Sequence, residues 1–357
     1  MKKRLAISLI VVLVLGMLSA CGGSNGGSSN AGSGDSGGTE GGEIVLKLSH
    51  QWPKAQGDEG DFRSVLSEKF AKEVEARTNG AVKIQQYPAQ SLVKANDQYD
   101  AMLKGAIDMA VLPFDYYSGK VPQFAITLMP AMVKNHEQAR AWQTSKIGEM
   151  IEEIAEENGL KILVWVWNAG AIATKGDPVV SPADVRSGMQ FRAAGALVEE
   201  MIAKAGAGIA SMPSSEIYSA LQTNVLDGAI TSNSSAASYK LYEQVDSYTT
   251  STENTFWFMF MPLTISKQSW EKLTPEQQQI FEEVAAELQE FAYEASEQDD
   301  YNAAELFKEH GVNVVDMDDA AYAEWVKLAE PIWEEFAENV EGGRELIDAA
   351  LEVQQQQ

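Results

Sequence analysis

The 357-residue chain carries 52 Asp and Glu against 27 Lys and Arg, a formal net charge of −25. So acidic a chain argues against nucleic acid or an anionic membrane surface as partner, and it disfavours organic anions unless a local cationic focus offsets the field. A single cysteine excludes an intramolecular disulfide and a multi-cysteine metal site, while the length is ample for two α/β lobes.

Residues 1–20 read as a targeting segment. Lys2, Lys3 and Arg4 supply the positive start, and Leu5–Leu18 is an apolar run too short for a bilayer core, which needs about 20 residues. The run ends in Leu18-Ser19-Ala20-Cys21, the small-residue pattern of a bacterial lipobox. That pattern assigns Cys21 to lipid attachment after cleavage; the alternative is an ordinary signal peptide with an incidental cysteine. Residues 21–42 are a Gly- and Ser-rich tether with a reach of roughly 25 Å. Within it, Gly34-Asp35-Ser36-Gly37-Gly38 mimics a serine-protease nucleophile loop. No barrel bearing His and Asp partners precedes it, so low complexity accounts for it.

The globular part opens at Glu43. Ile44, Leu46 and Leu48 alternate as in a half-buried strand that ends near His50-Gln51-Trp52-Pro53. Phe62, Val65, Leu66, Phe70 and Val74 lie on one helical face, with Asn79-Gly80 as the stop. Arg63 lies near the start of that helix, where its plain reading is a solvated helix arginine. Val82–Tyr87 reads as a strand, and Tyr99, Met102 and Leu103 mark a second helix. Gly105–Val111 reads as the next strand, leading to Phe114 and Tyr116, which wall a cleft or fill a core. The pattern from Asn135 to Asn158 predicts one long helix. Lys161–Trp167 is the apolar run of a central strand buried on both faces, and Asn168 at its end is a candidate cleft donor.

Met189–Phe191 delivers Arg192 to the end of a strand, and Leu197, Val198, Met201 and Ile202 form a helical face that stops at Gly206. After a short strand at Gly208–Met212, Ser214 is placed to cap a helix carrying Ile217, Tyr218 and Leu221. Asp227-Gly228 signals a turn into a buried strand, Ala229–Thr231. Ligands bind beyond the carboxyl ends of parallel strands, which puts Arg192, Thr231 and Ser232 at candidate ligand positions. An arginine fork matches a carboxylate with two charge-assisted hydrogen bonds; the rival reading pairs Arg192 with one of the abundant surface carboxylates. Phe256–Met261 is an apolar run read as a strand crossing back to the first lobe. Its Trp257 either stacks on a ligand or packs in the core. Thr274-Pro275-Glu276-Gln277 is a capping box that opens a long helix, and Tyr322, Trp325, Ile332, Trp333 and Phe336 mark the last one.

Phe191-Arg192-Ala193-Ala194-Gly195, the block Pro213–Gly228 and Tyr239-Lys240-Leu241-Tyr242-Glu243 resemble the extracytoplasmic solute-binding proteins of TRAP transporters, the DctP type. The P-x-x-E-x-Y-x-A-L-Q-T-x-x-x-D-G pattern of that family is nearly complete here. Pro88–Leu92 and the Gly105–Val111 strand also match, and the resemblance runs from about Ile44 to Glu283. One departure is Ala229-Ile230-Thr231-Ser232, where many members carry Asn-Pro after the Asp-Gly.

The resemblance implies a two-lobe α/β, periplasmic-binding-protein-like fold with hinge strands and a long bracing helix. It also implies an arginine at position 192 that grips the ligand carboxylate, and a loop before the first helix that borders the cleft near Arg63. On this reading the first lobe is 43–167 with a return segment at about 256–310. The second is 168–255 with C-terminal helices at about 315–353.

Catalytic patterns are lacking: His50, His136 and His310 are far apart, and no P-loop, G-x-G-x-x-G or H-E-x-x-H is present. The expectation is a non-enzymatic receptor without cofactor or metal, lipid-anchored outside the cytoplasm. It closes around a small organic acid, dicarboxylates included, and delivers it to TRAP membrane subunits. Arg192 is the anchor, with Asn168, Thr231, Ser232, Arg63 and Trp257 as further contacts. A receptor feeding an ATP-driven importer or a sensor is the alternative, and a secreted enzyme the more distant one.

Overall fold

The computed structural model of the protein describes residues 43–355; the targeting segment, Cys21 and the tether lie outside the described residues. The strands of the first half are β1 (Ile44–Ser49), β2 (Val82–Tyr87), β3 (Met109–Val111), β4 (Leu160–Val164), β5 (Trp167–Thr174) and β6 (Gln190–Arg192). Those of the second half are β7 (Gly208–Ile209), β8 (Gly228–Ser232), β9 (Ser247–Thr250), β10 (Phe258–Phe260), β11 (Leu263–Ser266) and β12 (Asn313–Asp316). Helices α1 (Phe62–Arg77), α2 (Gln98–Leu103), α3 (His136–Gln143), α4 (Lys146–Glu157), α5 (Ala196–Lys204) and α6 (Ile217–Gln222) are followed by α7 (Asn233–Ser238), α8 (Lys267–Trp270), α9 (Pro275–Glu309), α10 (Asp319–Asn339) and α11 (Gly343–Gln355).

Two sheets organise the molecule. The first runs β2-β1-β3-β11-β4, with β1 parallel to β2 and β3, and β11 antiparallel to β3 and β4. The second runs β12-β9-β5-β8-β6-β7, with β10 added antiparallel to β5. In it β6, β7 and β8 are mutually parallel, while β5 is antiparallel to β8 and β9. The alternation of Leu46 and Leu48 buries one face of β1 against Phe62, Leu66 and Phe70 of α1.

The chain crosses between the sheets at Trp165-Val166, from β4 to β5, and again at Met261-Pro262, from β10 to β11. The two crossings touch: the Met261 amide donates to the Val166 carbonyl at 2.8 Å. Across them lies α9, 35 residues or about 50 Å long. Its capping box is formed as the sequence indicated, with Thr274 and Gln277 bonding each other's backbone N–H. It packs on α1 and β4 on one side and on α7, β5 and β12 on the other, so one rigid rod braces both lobes. Despite its length, no helix among the described residues is apolar enough to cross a membrane.

Several sequence expectations shift. The single helix expected over 135–158 is two, α3 and α4. Ser145 adopts extended backbone and its hydroxyl bonds the Trp142 carbonyl, turning the chain; a Cβ on Gly148 would meet that same carbonyl at 2.2 Å. The run 161–167 is not one central strand. Lys161–Val164 belongs to β4, an edge strand with half-buried Ile162 and Leu163, and Trp167 begins β5 in the other sheet. Asn168 is therefore the second residue of an eight-residue buried strand rather than a strand end. The run 256–261 pairs with β5 before the crossing, and it is β11 that enters the first sheet. Ser214 caps no helix; its hydroxyl donates to Gln51 Oε1 at 3.1 Å. Ser247–Thr250, polar apart from Tyr248, forms a fully buried strand, β9. Helix α10 lies against α5, whereas α11 packs on α3 and α4.

Candidate functional site

Where the two lobes meet, side chains from both enclose a cavity of about 10 Å³, room for one water. Gln51, Trp52, Arg63, Pro113 and Tyr116 reach it from the first lobe, and Arg192, Ser214, Thr231, Ser232, Ser235, Trp257 and Met259 from the second. Met261, at the crossing, completes the wall.

Arg192 is the last residue of β6 and faces Ala229 on β8, so Thr231 and Ser232 lie farther along the same carboxyl edge. The guanidinium is 1 % exposed. Its Nε donates to the Met212 carbonyl at 2.9 Å, Nη1 to the Ile230 carbonyl at 3.0 Å and Nη2 to the Tyr116 hydroxyl at 2.9 Å. Every partner is neutral. Each Nη makes one of its two possible bonds, so two N–H groups and a full positive charge remain at the cavity wall. The rival reading, a surface ion pair, does not describe this residue.

Arg63 is 0 % exposed, not a solvated helix arginine. Asp61, the N-cap of α1, takes Nε at 2.7 Å and Nη2 at 2.5 Å in a bidentate pair. Nη1 donates to Asn168 Oδ1 at 2.8 Å and Ser232 Oγ at 3.1 Å, with Met261 Sδ at 3.2 Å, and Nη2 also reaches Ser235 Oγ at 3.2 Å. All five N–H groups are engaged. The guanidinium carbon lies 3.9 Å from the Trp52 ring centroid, and Trp52 Nε1 donates to Ser235 Oγ at 3.1 Å. Ser238 Oγ donates to Asp61 Oδ2 at 3.0 Å. Arg63 thus ties the first lobe to β5, β8 and α7 of the second.

Asn168 stands behind Arg63 rather than on the cavity wall: its Oδ1 receives Arg63 and its Nδ2 donates to the Trp167 carbonyl at 2.6 Å. Ser232 is on the wall but bonded to Arg63, to Ser235 Oγ at 2.9 Å and, as N-cap of α7, to the Ser235 amide. Trp257 lies flat over Gly170, where a Cβ would stand 2.2 Å from its ring, and its Nε1 donates to the Ala193 carbonyl at 2.8 Å. Tyr116 walls the cleft as one of the two readings had it, while Phe114 is core. Gln51, Trp52, Ser235, Met259 and Met261 were not singled out as site residues, and Ser214 was read only as a helix cap. The His50–Pro53 loop after β1 and the serine-rich run 232–238 were the available signals.

Burial shapes the titration of the surroundings. It pushes the His50 imidazole down to about 4, with Asp61 pulling the other way, so this histidine is neutral near pH 7. Burial first and Glu199 second push Asp115 up to about 8 against the pull of Arg192, and neither of its carboxyl oxygens has a partner among the described residues. Asp299, on α9, is raised to about 7 by burial and by Asp61. A larger surface hollow of about 240 Å³ beside His136 and Asp300 carries Glu137, Glu253 and Glu297, the wrong sign for an anion. No group of three or more His, Cys, Asp or Glu among the described residues is arranged to hold a metal ion.

Residues 58–339 match the family model described as bacterial extracellular solute-binding protein, family 7, DctP. A solute-binding protein of Albidiferax ferrireducens is 40 % identical over 307 residues, 86 % of this chain and 90 % of that one. The C4-dicarboxylate-binding periplasmic protein DctP of Vibrio cholerae is 25 % identical over 88 % of this chain and 92 % of its own. Among solved structures, a TRAP periplasmic solute-binding protein from Rhodoferax ferrireducens with bound malonate superposes with a TM-score of 0.85 at 39 % identity, covering 87 % of this chain and 98 % of that one.

Proposed function

The chain belongs to family 7 of the bacterial extracellular solute-binding proteins, the DctP type, and on that footing we propose that its cleft captures a small organic anion through Arg192. As a member it is an extracytoplasmic solute receptor of a TRAP transporter and not an enzyme. The observation that carries the ligand class is the Arg192 guanidinium: buried at the lobe boundary, bonded only to neutral acceptors, and facing the cavity. In a chain of net charge −25 this is the local focus that an anion requires. Malonate in the Rhodoferax ferrireducens structure and the C4-dicarboxylates named for the Vibrio cholerae protein support an acidic solute.

The carboxylate docks on the two unshared Nη protons of Arg192, oriented by Thr231 and Tyr116, with Trp257 as a flat wall. Ser232, Asn168 and Arg63 hold the closed geometry from behind. The lobes are built on the two sheets, with boundaries near the crossings at 165–166 and 261–262. Hydrogen bonds donated by Trp52 and Arg63 to second-lobe residues, and by Arg192 to Tyr116, describe a closed state. With about 10 Å³ inside, solute entry requires the lobes to part, and the solute favours closure by touching both. Delivery is to the membrane subunits of the transporter, and a lipid on Cys21 retains the receptor at the membrane. Cys21→Ser releases it to the soluble fraction, and a variant that stays with the membrane overturns the anchor.

A thermal-shift and calorimetry screen of the purified protein against organic acids, neutral sugars and amino acids tests the ligand class. A carboxylate raises the unfolding temperature by mass action, and Arg192→Ala abolishes the rise. Response to a neutral solute alone, or to acids in Arg192→Ala as in wild type, removes Arg192 from this role.

A further inference from the structure

Among the described residues, the cleft contains two buried arginines but one free cation. Arg63 contributes no net charge to a ligand, because Asp61 grips it through both carboxylate oxygens and the pair is wholly buried. The geometry is built by the helix start. As N-cap, Asp61 accepts the Arg63 amide at 3.1 Å, which turns its carboxylate over the first turn and against the Arg63 side chain two residues on. A ligand carboxylate brought to Arg63 would meet Asp61 as well, and would find every N–H of the guanidinium already engaged.

The remaining titratable groups do not change the count. His50 is neutral near pH 7, and the Asp115 and Asp299 carboxyls, both raised by burial, supply no positive charge. Gln51, Tyr116, Ser214 and Thr231 offer neutral dipoles only. A second carboxylate placed among them in a closed, nearly dry cavity would be a buried charge without a counter-ion, which proteins avoid.

We infer that Asp61 is a specificity-determining residue: by cancelling Arg63 it leaves Arg192 as the single free cation among the described residues of the cleft, so the cleft selects a monoanionic carboxylate over a dicarboxylate of the same size. This rests on the carboxylate reading above and names the charge class within it. Dicarboxylates are thereby the weaker ligands, although malonate occupies the 39 % identical structure.

The test pairs each diacid with its monoamide, which keeps the size and removes one charge: malonate with malonamate, succinate with succinamate, and glutarate with glutaramate. Affinities are measured by calorimetry at pH 7.5 on wild type and on Asp61→Asn. Asparagine keeps the cap and a carbonyl acceptor for Arg63, and removes the charge. In wild type the monoamide of the best pair binds about tenfold or more tighter than the diacid, the worth of one charged hydrogen bond. In Asp61→Asn the freed Arg63 charge levels or reverses that ratio. A wild-type preference for the diacid overturns the inference while leaving the carboxylate reading intact, and so does an unchanged ratio in a folded Asp61→Asn. If the variant fails to fold, the wild-type ratio decides alone. Silence from every acid and amide, with a response to a neutral solute, sinks both.

Discussion

Arg63 and Arg192 are alike in sequence terms and in burial, yet their surroundings differ in kind. Around Arg63 a carboxylate, three polar side chains, a methionine sulfur and a tryptophan face satisfy the whole guanidinium. Around Arg192 stand two backbone carbonyls and a phenol, with no acidic group among the described residues bonded to it. One arginine is a structural tie whose charge is closed off; the other is held in place with its charge open. What separates an open cation from a closed one is the charge of its partners.

The largest effect expected from this contrast is in stability. Arg63→Ala leaves Asp61 buried without its partner and should cost about 3–5 kcal/mol, read from urea unfolding of the ligand-free protein. An unchanged midpoint would dissolve the contrast. Arg192→Lys should act mainly on affinity, weakening the bound carboxylate by roughly 1.5–3 kcal/mol in calorimetry, because an ammonium lacks the planar two-point fork. Should the two variants exchange phenotypes, the assignments exchange with them.

A gentler probe is Gly170→Ala. The new Cβ would overlap the Trp257 ring, displace the flat wall beside Arg192, and cost about 1–3 kcal/mol. Affinity should fall, while the Arg63 cluster on the far side keeps its hydrogen bonds. Equal affinity would remove Trp257 from the ligand wall.

The remaining effects are pH profiles, spread over several pH units, and they run in opposite directions at the two arginines. His50, beside Asp61 and Arg63, has a folded pKa of about 4 against 6.5 unfolded. The unfolded chain binds the proton first, so stability is lost as pH falls from 6.5 towards 4. Asp115, near Arg192, has a folded pKa of about 8 against 3.8. The folded chain binds the proton more tightly, so stability is lost as pH rises from 3.8 through 8. Asp115→Asn should therefore raise the unfolding temperature at pH 8 and lose that advantage near pH 4. His50→Gln should flatten the acid limb.

Much of the frame was legible in the sequence. The strand–helix alternation, the capping box at Thr274 and the block from Pro213 to Gly228 all carry short-range signals, and periodicity and capping are short-range physics. Arg192 was placed at a strand end by the same logic. The site's composition was less legible. Asn168 was read as a ligand donor because an apolar run appeared to end there; the run in fact divides between two sheets, which buries Asn168 behind Arg63. Arg63 was weighed as anion contact or solvated residue. It is not solvated: it sits in a buried cluster whose partners at 168, 232 and 235 are more than a hundred residues away. Trp52 and Ser235 were passed over for the same reason: their hydrogen bond joins residues 183 apart.

The sequence by itself determined most of the elements, the two-lobe α/β plan and the receptor family, and it placed one arginine at the carboxyl end of a strand. Local backbone preference and the alternation of apolar residues are properties of neighbours in the chain, so they are written in order along it. Which arginine keeps its charge was decided only by the tertiary structure. The partners that neutralise one and spare the other come from separate strands, helices and lobes, and a guanidinium's net field depends on what the fold brings within about 3 Å of it.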